Sequence, residues 1–376
     1  MDKKFFMGIA AMAALTLVSC SSDDLDSFSD NSSKNEAISF DGYLGRSAVA
    51  VNGTRGSEVK IGNLQTDGFG VFGYHNNSAT HSATESFDAN LFNNQKVTYD
   101  NTNKKWTYSP LKFWPSDGHI DFLAYAPYDV KNTTLTDGSK INNFTVSETI
   151  ADQTDLLWTN ATSQITADTK KNKVNFQFHH ALSRLGYTVN LTGDYTSSNV
   201  TFTLNKITLA GSADETKNAF YKKGTIDLSK ANDAGDLWDT SSSFANEGKQ
   251  NFPWFSAGAQ PVNITYVDPS NHTKKPVSNG TDYLFVIPQN FDTGSDELYV
   301  IVEYTINYTD GTPSVKNTVY KQIKKDFKQG KAYMLNLTLG LPIEFDVNVT
   351  GGAGVDGWGT DEGINIGSND TPWERK

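Results

Sequence analysis

The residues able to do chemistry are few and widely spaced. One cysteine, Cys20, leaves no partner for an intrachain disulfide and no thiolate cluster for a metal. Six histidines (His75, His81, His119, His179, His180 and His272) include no HExxH pair, and the adjacent His179 and His180 would point to opposite sides of a strand. They read as structural side chains, and neither a metal nor another cofactor is expected. A GxSxG nucleophile elbow is absent from the sequence. Gly352-Ala353-Gly354-Val355-Asp356-Gly357 spells GxGxxG after a strand-like segment, but a dinucleotide site needs a following helix and a second parallel strand, and only 19 residues remain. It reads as loop. Asp346, Asn348 and Thr350 open like a calcium loop whose twelfth position is Gly357 in place of a bidentate glutamate. No catalytic constellation results, and an enzyme is not expected.

Two scarcer residue types carry more information. Of 32 basic residues only four are arginines, Arg46, Arg55, Arg184 and Arg375, and two of these fall within ten residues of each other. A protease specific for arginine, acting on an exposed Gly45-Arg46-Ser47 loop, would detach everything before it in one cut; the other reading is a pair of solvated loop charges. Seven tryptophans (Trp106, Trp114, Trp158, Trp238, Trp254, Trp358 and Trp373) are mainly core candidates. Trp114-Pro115 and Phe252-Pro253-Trp254 place a tryptophan beside a proline, which belongs at strand ends. Trp114 and Trp254 are therefore expected to be exposed and are the candidates for contact with a host glycan.

Cys20 has a distinctive setting. Met1 to Lys4 carries two lysines, Phe5 to Val18 is an apolar run, and Leu17-Val18-Ser19-Cys20 ends it with small residues, the layout of a secretory signal. With cysteine at the cleavage point it resembles a bacterial lipoprotein signal, in which residues 1–19 are removed and Cys20 is lipidated. No later segment approaches the roughly 18 to 20 apolar residues of a spanning helix, so the expected link to the outer membrane is a lipid anchor. Ser21 to Glu36 holds six serines and five acids, too polar to offset the entropy of ordering. Residues 20–36 form a tether, and Asp23, Asp24 and Asp26 resemble the acidic export signals of surface lipoproteins. The chain of 376 residues carries 32 basic and 43 acidic side chains, a net charge of −11, which argues against nucleic acid as a partner.

From Ala37 the pattern has period two. Ile38, Phe40, Gly42 and Leu44 fall on one face of a first strand, and many short alternating runs follow, punctuated by pairs such as Asp67-Gly68, Asp117-Gly118 and Asp310-Gly311. Around Asp310-Gly311, Val300, Val302, Tyr304, Ile306 and Tyr308 make the apolar face of a half-buried hairpin. Many short strands with short turns imply an all-β protein built of β-sandwich domains. The polar run Thr162 to Asn172 sets the expected boundary, giving domains at 37–170 and 171–342 and a terminal segment at 343–376. In that segment Ile343, Phe345, Val347 and Val349 share a face, and Ile343-Glu344-Phe345-Asp346 repeats the I-x-F-D form of Ile38-Ser39-Phe40-Asp41. If the first strand were cut away, the core it covered would become a groove with an unpaired edge, which a segment of equal pattern could refill.

A series of short motifs in order along the mature chain resembles the fimbrillin-like (Mfa-like) family of Gram-negative anaerobes: Gly68-Phe69-Gly70-Val71-Phe72, Trp106-Thr107-Tyr108-Ser109-Pro110-Leu111-Lys112-Phe113-Trp114-Pro115, the run Ile120 to Tyr128, Asp152-Gln153-Thr154-Asp155-Leu156-Leu157-Trp158, Phe176-Gln177-Phe178-His179-His180-Ala181-Leu182-Ser183, Phe285-Val286-Ile287-Pro288-Gln289 and Gly330-Lys331-Ala332-Tyr333. The resemblance implies two transthyretin-like β-sandwich domains and the life cycle of a type V pilin. A lipidated precursor reaches the cell outer membrane, an Arg-specific protease removes the strand holding Ile38, Phe40 and Leu44, and a neighbouring pilin subunit donates its C-terminal strand. Arg46 is then the first cleavage candidate and Arg55 the second, and the product is a stalk or tip subunit of an adhesive fimbria. The alternative is a monomeric, permanently anchored adhesive lipoprotein that binds a host protein or glycan and is never cut.

Overall fold

A computed structural model describes residues 37–44 and 61–375, apart from 83–84, 129–134, 138, 166–172, 231–236, 240–247, 259–260, 272, 281, 342–343, 352–357, 361–363 and 367–373. Among the described residues the regular structure is almost entirely strand, as the period-two pattern predicts; the helix Ile61–Asp67 and the single 3-10 turns Ile150–Asp152 and Thr196–Ser198 are the short exceptions. The strands that position the site are β1 (Phe40–Leu44), β2 (Phe69–Asn76), β3 (Phe92–Asp100), β4 (Lys105–Thr107), β5 (His119–Ala126), β6 (Leu135–Asp137), β7 (Lys140–Thr145), β8 (Leu157–Ile165), β9 (Val174–His180), β10 (Ser183–Leu191) and β11 (Val200–Ala210).

The first sheet runs β1-β9-β8-β5-β2-β3-β4. Every neighbouring pair is antiparallel except β1 and β9, which run parallel. Its central strand β5 reads HIDFLAYA and is buried at every residue, because both faces of the sheet are covered. Phe122 and Ala124 join a cluster with Phe40, Phe69 and Phe176, while Leu123 and Tyr125 join a larger one that includes Leu185, Val302 and Leu335. Close approach of β2 and β5 requires glycine: a Cβ on Gly70 would lie 2.3 Å from the ring of Tyr125.

Two further sheets carry the rest. β10 pairs in parallel with the strand Lys331–Gly340, which pairs antiparallel with Glu344–Gly351, and that in turn with Ile364–Ile366. β11 pairs with Tyr299–Tyr308, which turns at Asp310-Gly311 into Val315–Gln322. Gly311 has φ +90°, as such a turn needs. Val300, Val302 and Tyr304 are completely buried, the face that the alternation predicts.

The boundary at 170 requires correction. β9 begins at Val174, yet it closes the first sheet by pairing with β1 and β8. β7, on the other side of that boundary, pairs with the strand Lys223–Asp227. Residues Glu36 to Lys376 form one compact unit, and the larger apolar cluster draws on both halves of the chain. A polar loop marks a surface excursion, but it does not reveal which sheet the strand after it will join.

Candidate functional site

The first strand occupies a slot between β9 and the segment 108–113. Along one side, Phe40 to Leu44 stand in parallel register with Val174 to Phe178, and the backbone N–H of Val174 donates to Ser39 O at 2.8 Å. On the other side, the N–H of Ile38 donates to Lys112 O at 2.9 Å, and Ala37 bridges Phe113. Tyr108 closes the slot by donating its hydroxyl to Ile38 O at 2.7 Å. Burial raises the Tyr108 phenol above its ordinary range, against a smaller opposing effect of the Lys112 backbone, so the donor keeps its proton through neutral and moderately alkaline pH.

Side chains hold the strand more strongly than its ladder does. Ile38 and Phe40 are 1% and 3% exposed. The Phe40 ring stacks on Phe176 at 5.6 Å and meets Phe92, Tyr108 and Phe122 at 5.5, 5.4 and 5.6 Å. Gly42 lies where a Cβ would come within 3.0 Å of the Phe69 ring, so the strand presses directly onto the aromatic floor. Leu44 is half-buried, and Tyr43 on the outer face is 45% exposed. Without this strand, one edge of β9 would be unpaired above an apolar trough lined by Phe92, Phe122 and Phe176. Each fully buried aliphatic or aromatic side chain contributes about 1.5–3 kcal/mol, so Ile38 and Phe40 dominate the hold.

The terminal segment of matching pattern is seated in its own chain. Glu344–Gly351 lies between Lys331–Gly340 and Ile364–Ile366, with Leu339 opposite Phe345 and Val347 opposite Ile366. Val347 and Val349 are completely buried. Asp346 accepts from the buried Lys321 Nζ at 2.9 Å. Ile343 lies outside the described residues, as do Cys20, Arg46 and Arg55; the backbone of Phe345 is described. The described part of the first strand ends at Leu44, two positions before Arg46.

The tryptophans expected at the surface are buried. Trp114 is 1% exposed and meets Phe122 edge-on at 6.1 Å; its neighbours Leu111 and Phe113 take the exposed positions at 58% and 51%. Trp254 is 7% exposed and packs edge-on against Tyr187 at 5.0 Å. It lines a cleft of about 400 Å³ with Phe255, Asn279 and Asp282. Burial, then Asp282, pushes the Tyr187 phenol up to about 12. Neither indole therefore offers an open face for a sugar. The alternation of the strand Phe252–Ser256 turns Trp254 inward past the exposed Pro253, and Trp114, outside any strand, packs into the cluster that holds Phe122.

Most of the described histidines serve structure. His180 Nδ1 lies 3.0 Å from Asp155 Oδ1 in the core, and Trp358 of the glycine-rich tail stacks on its ring at 4.0 Å. Burial lowers the pKa of His179, helped by His180. One group departs from this pattern: His81, Glu85, His119 and Asp121 converge at the start of β5 and could hold a metal ion. The histidine spacing did not suggest it, although His119 and Asp121 two apart on a strand share a face.

A model of the fimbrillin-like family matches residues 54–358. A fimbrial protein from Bacteroides vulgatus is similar at 21% identity, with 84% of this chain and 99% of that chain covered and a TM-score of 0.62. A fimbrial assembly protein from Parabacteroides distasonis aligns at 12% identity over 82% and 95% of the two chains, with a TM-score of 0.35. The first of these shows the shared fold. No curated protein sequence matches the chain.

Proposed function

The chain belongs to the fimbrillin-like family, and from that premise we propose that it is a structural subunit of a type V fimbria that polymerises by strand exchange and supports cell adhesion. The precursor carries a lipid on Cys20 and reaches the outer face of the outer membrane. An Arg-specific protease cuts after Arg46, or after Arg55, and β1 leaves with the tether. The segment Ile343 to Val349 of a neighbouring subunit then takes its place along β9. No catalysis is assigned to any residue.

The observation that carries this reading is the seating of β1. It is a parallel terminal strand whose following residues lead directly to an arginine, yet its apolar face fills an aromatic trough. Cutting the connection removes the covalent hold and leaves apolar burial to oppose release. A vacated trough would expose several aromatic rings, and burial of replacement Phe and Val side chains at about 1.5–3 kcal/mol each, with ladder bonds of about 0.5–1.5 kcal/mol net, would offset the backbone entropy of ordering a strand, about 1–2 kcal/mol per residue. The donor must first leave Lys331–Gly340 and Ile364–Ile366, so exchange trades one set of buried valines for another. The empty trough decides the direction. Leu111 and Phe113, exposed beside the slot, are suited to cover by an arriving subunit.

The test is the N-terminal residue of the protein recovered from cell surfaces. Ser47 or Gly56, with a detergent-resistant ladder of oligomers, supports the reading. Acylated Cys20 on a monomer overturns it in favour of an anchored adhesin.

A further inference from the structure

Four side chains far apart in sequence meet where β5 begins. Gly118, at φ +79°, turns the chain into β5, and the pairing of Asn76 with His119 sets that strand beside β2. The period of two then puts His119 and Asp121 on one face. After β2 the chain returns His81 and Glu85 to the same place. One donor atom from each of the four residues falls within 4.8 Å of all the others.

The spacing fits a coordination shell better than a hydrogen-bond network. His119 Nε2 lies 3.4 Å from Glu85 Oε2 and 3.9 Å from Asp121 Oδ2; His81 Nδ1 lies 3.0 Å from Asp121 Oδ2 and 3.9 Å from Glu85 Oε2. Charge-assisted hydrogen bonds are about 2.7–2.9 Å. A tetrahedron with zinc-ligand bonds of about 2.0–2.2 Å has edges of roughly 3.3–3.6 Å, the middle of the observed range. His119 has a completely buried side chain, and its Nε2 makes no hydrogen bond; neither does His81 Nδ1, since its 3.0 Å approach to Asp121 is not aligned as one.

Outer partners fix how the four groups point. His119 Nδ1 sits 2.5 Å from Ser78 O. A carbonyl only accepts, so Nδ1 carries the proton and Nε2 presents its lone pair to the cluster. Asp121 Oδ1 accepts the backbone N–H of Ser163 at 2.6 Å, leaving Oδ2 to face inward. Glu85 Oε1 accepts from Asn76 Nδ2, and its Oε2 faces inward while also accepting the Ser82 N–H at 3.4 Å. The Glu85 and Asp121 side chains are 10% and 6% exposed, and two converging carboxylates in such a place call for a cation.

We propose that His81, Glu85, His119 and Asp121 form a four-coordinate site for a divalent transition metal of the Zn²⁺ class, which ties His81 and Glu85, and the chain around them, to β5. Two imidazoles beside two carboxylates suit such an ion, whereas Ca²⁺ takes about 6–8 oxygens. The site lies apart from the β1 slot and its role is structural, so it stands whether or not the chain polymerises. Metal bound only by the folded state raises its stability by mass action.

The test uses the whole mature chain, stripped with a chelator and titrated with Zn²⁺ alone and with Co²⁺ alone. One ion per chain is expected, with the visible bands of four-coordinate Co²⁺ and a melting temperature that rises with Zn²⁺ by a few degrees. His81→Gln changes a side chain that is 31% exposed, and circular dichroism checks that it folds. This variant, and Glu85→Gln, should each weaken binding at least about tenfold and remove the thermal shift, while His75→Gln should bind as the parent does. The proposal is overturned if the parent takes up no stoichiometric ion, or if folded His81→Gln and Glu85→Gln bind Zn²⁺ like the parent.

Discussion

The strands Phe40–Leu44 and Glu344–Gly351 present similar alternating patterns but are held in opposite ways. The first has one parallel ladder, to β9, and depends on Ile38 and Phe40 buried among aromatic rings. The second has antiparallel ladders on both sides, two buried valines and a contact from Asp346 to a buried lysine. A strand held by side chains on a preformed floor can be exchanged for another of the same pattern, because the floor remains when the strand goes. A strand held by its neighbours' backbones surrenders many hydrogen bonds at once. In the proposed exchange, removal of the first strand is thus the step that a single cut would start, and recruitment of the second would need the vacated floor as its destination.

The largest effect should come from spoiling the proposed donor. Phe345→Asp would carry an unpaired charge into the apolar trough; oligomer ladders from the cut protein should disappear while circular dichroism shows a folded subunit. Normal ladders would remove this segment from the account. Next, Arg46→Ala should abolish the Ser47 N-terminus in protein sequenced from cells, with Gly56 appearing if Arg55 substitutes. An unchanged Ser47 terminus would exclude Arg46 as a required residue.

A smaller effect separates the two strands directly. Phe40→Ala should cost the uncut chain about 3–5 kcal/mol in denaturant unfolding, and should have no effect on assembled material from which residues up to 46 have been removed. Equal effects on both would mean that the strand is retained. The smallest change is expected from Tyr108→Phe, which removes the bond to Ile38 O and should cost about 0.5–1.5 kcal/mol. It should also flatten the alkaline limb of stability. The folded phenol is raised above its unfolded value of 10.0, chiefly by burial. The stability this residue lends is therefore fully present below that value and is lost as pH rises through the range between the unfolded and folded values. An identical alkaline limb in Tyr108→Phe would assign that loss to other groups.

Local pattern made the strands legible and left their partners hidden. Ile38 and Phe40, Val300 and Val302, and Val347 and Val349 all face inward as their period of two requires, because alternation is a property of each strand alone. The boundary failed because the parallel pairing of β1 with β9 joins residues over 130 positions apart, and nothing in the polar run before Val174 encodes it. Trp114 and Trp254 stand beside prolines yet are buried: Trp254 follows the alternation of Phe252–Ser256 inward, whereas Trp114 owes its burial to a tertiary contact with Phe122 that no local pattern announces. The metal-capable cluster depends on β2 pairing with β5 and on where the chain leaving β2 places His81 and Glu85. Only the His119-x-Asp121 half of it was readable, as two ligand types on one strand face.

The most direct measurement of the exchange is a cryo-EM map of intact filaments at side-chain detail. In that map Ile38 to Leu44 should be absent, and Phe345, Val347 and Val349 of the adjacent subunit should lie against Phe92, Phe122 and Phe176 along the freed edge of Val174–His180. Density for Phe40 still stacked on Phe176 within the filament would contradict the exchange.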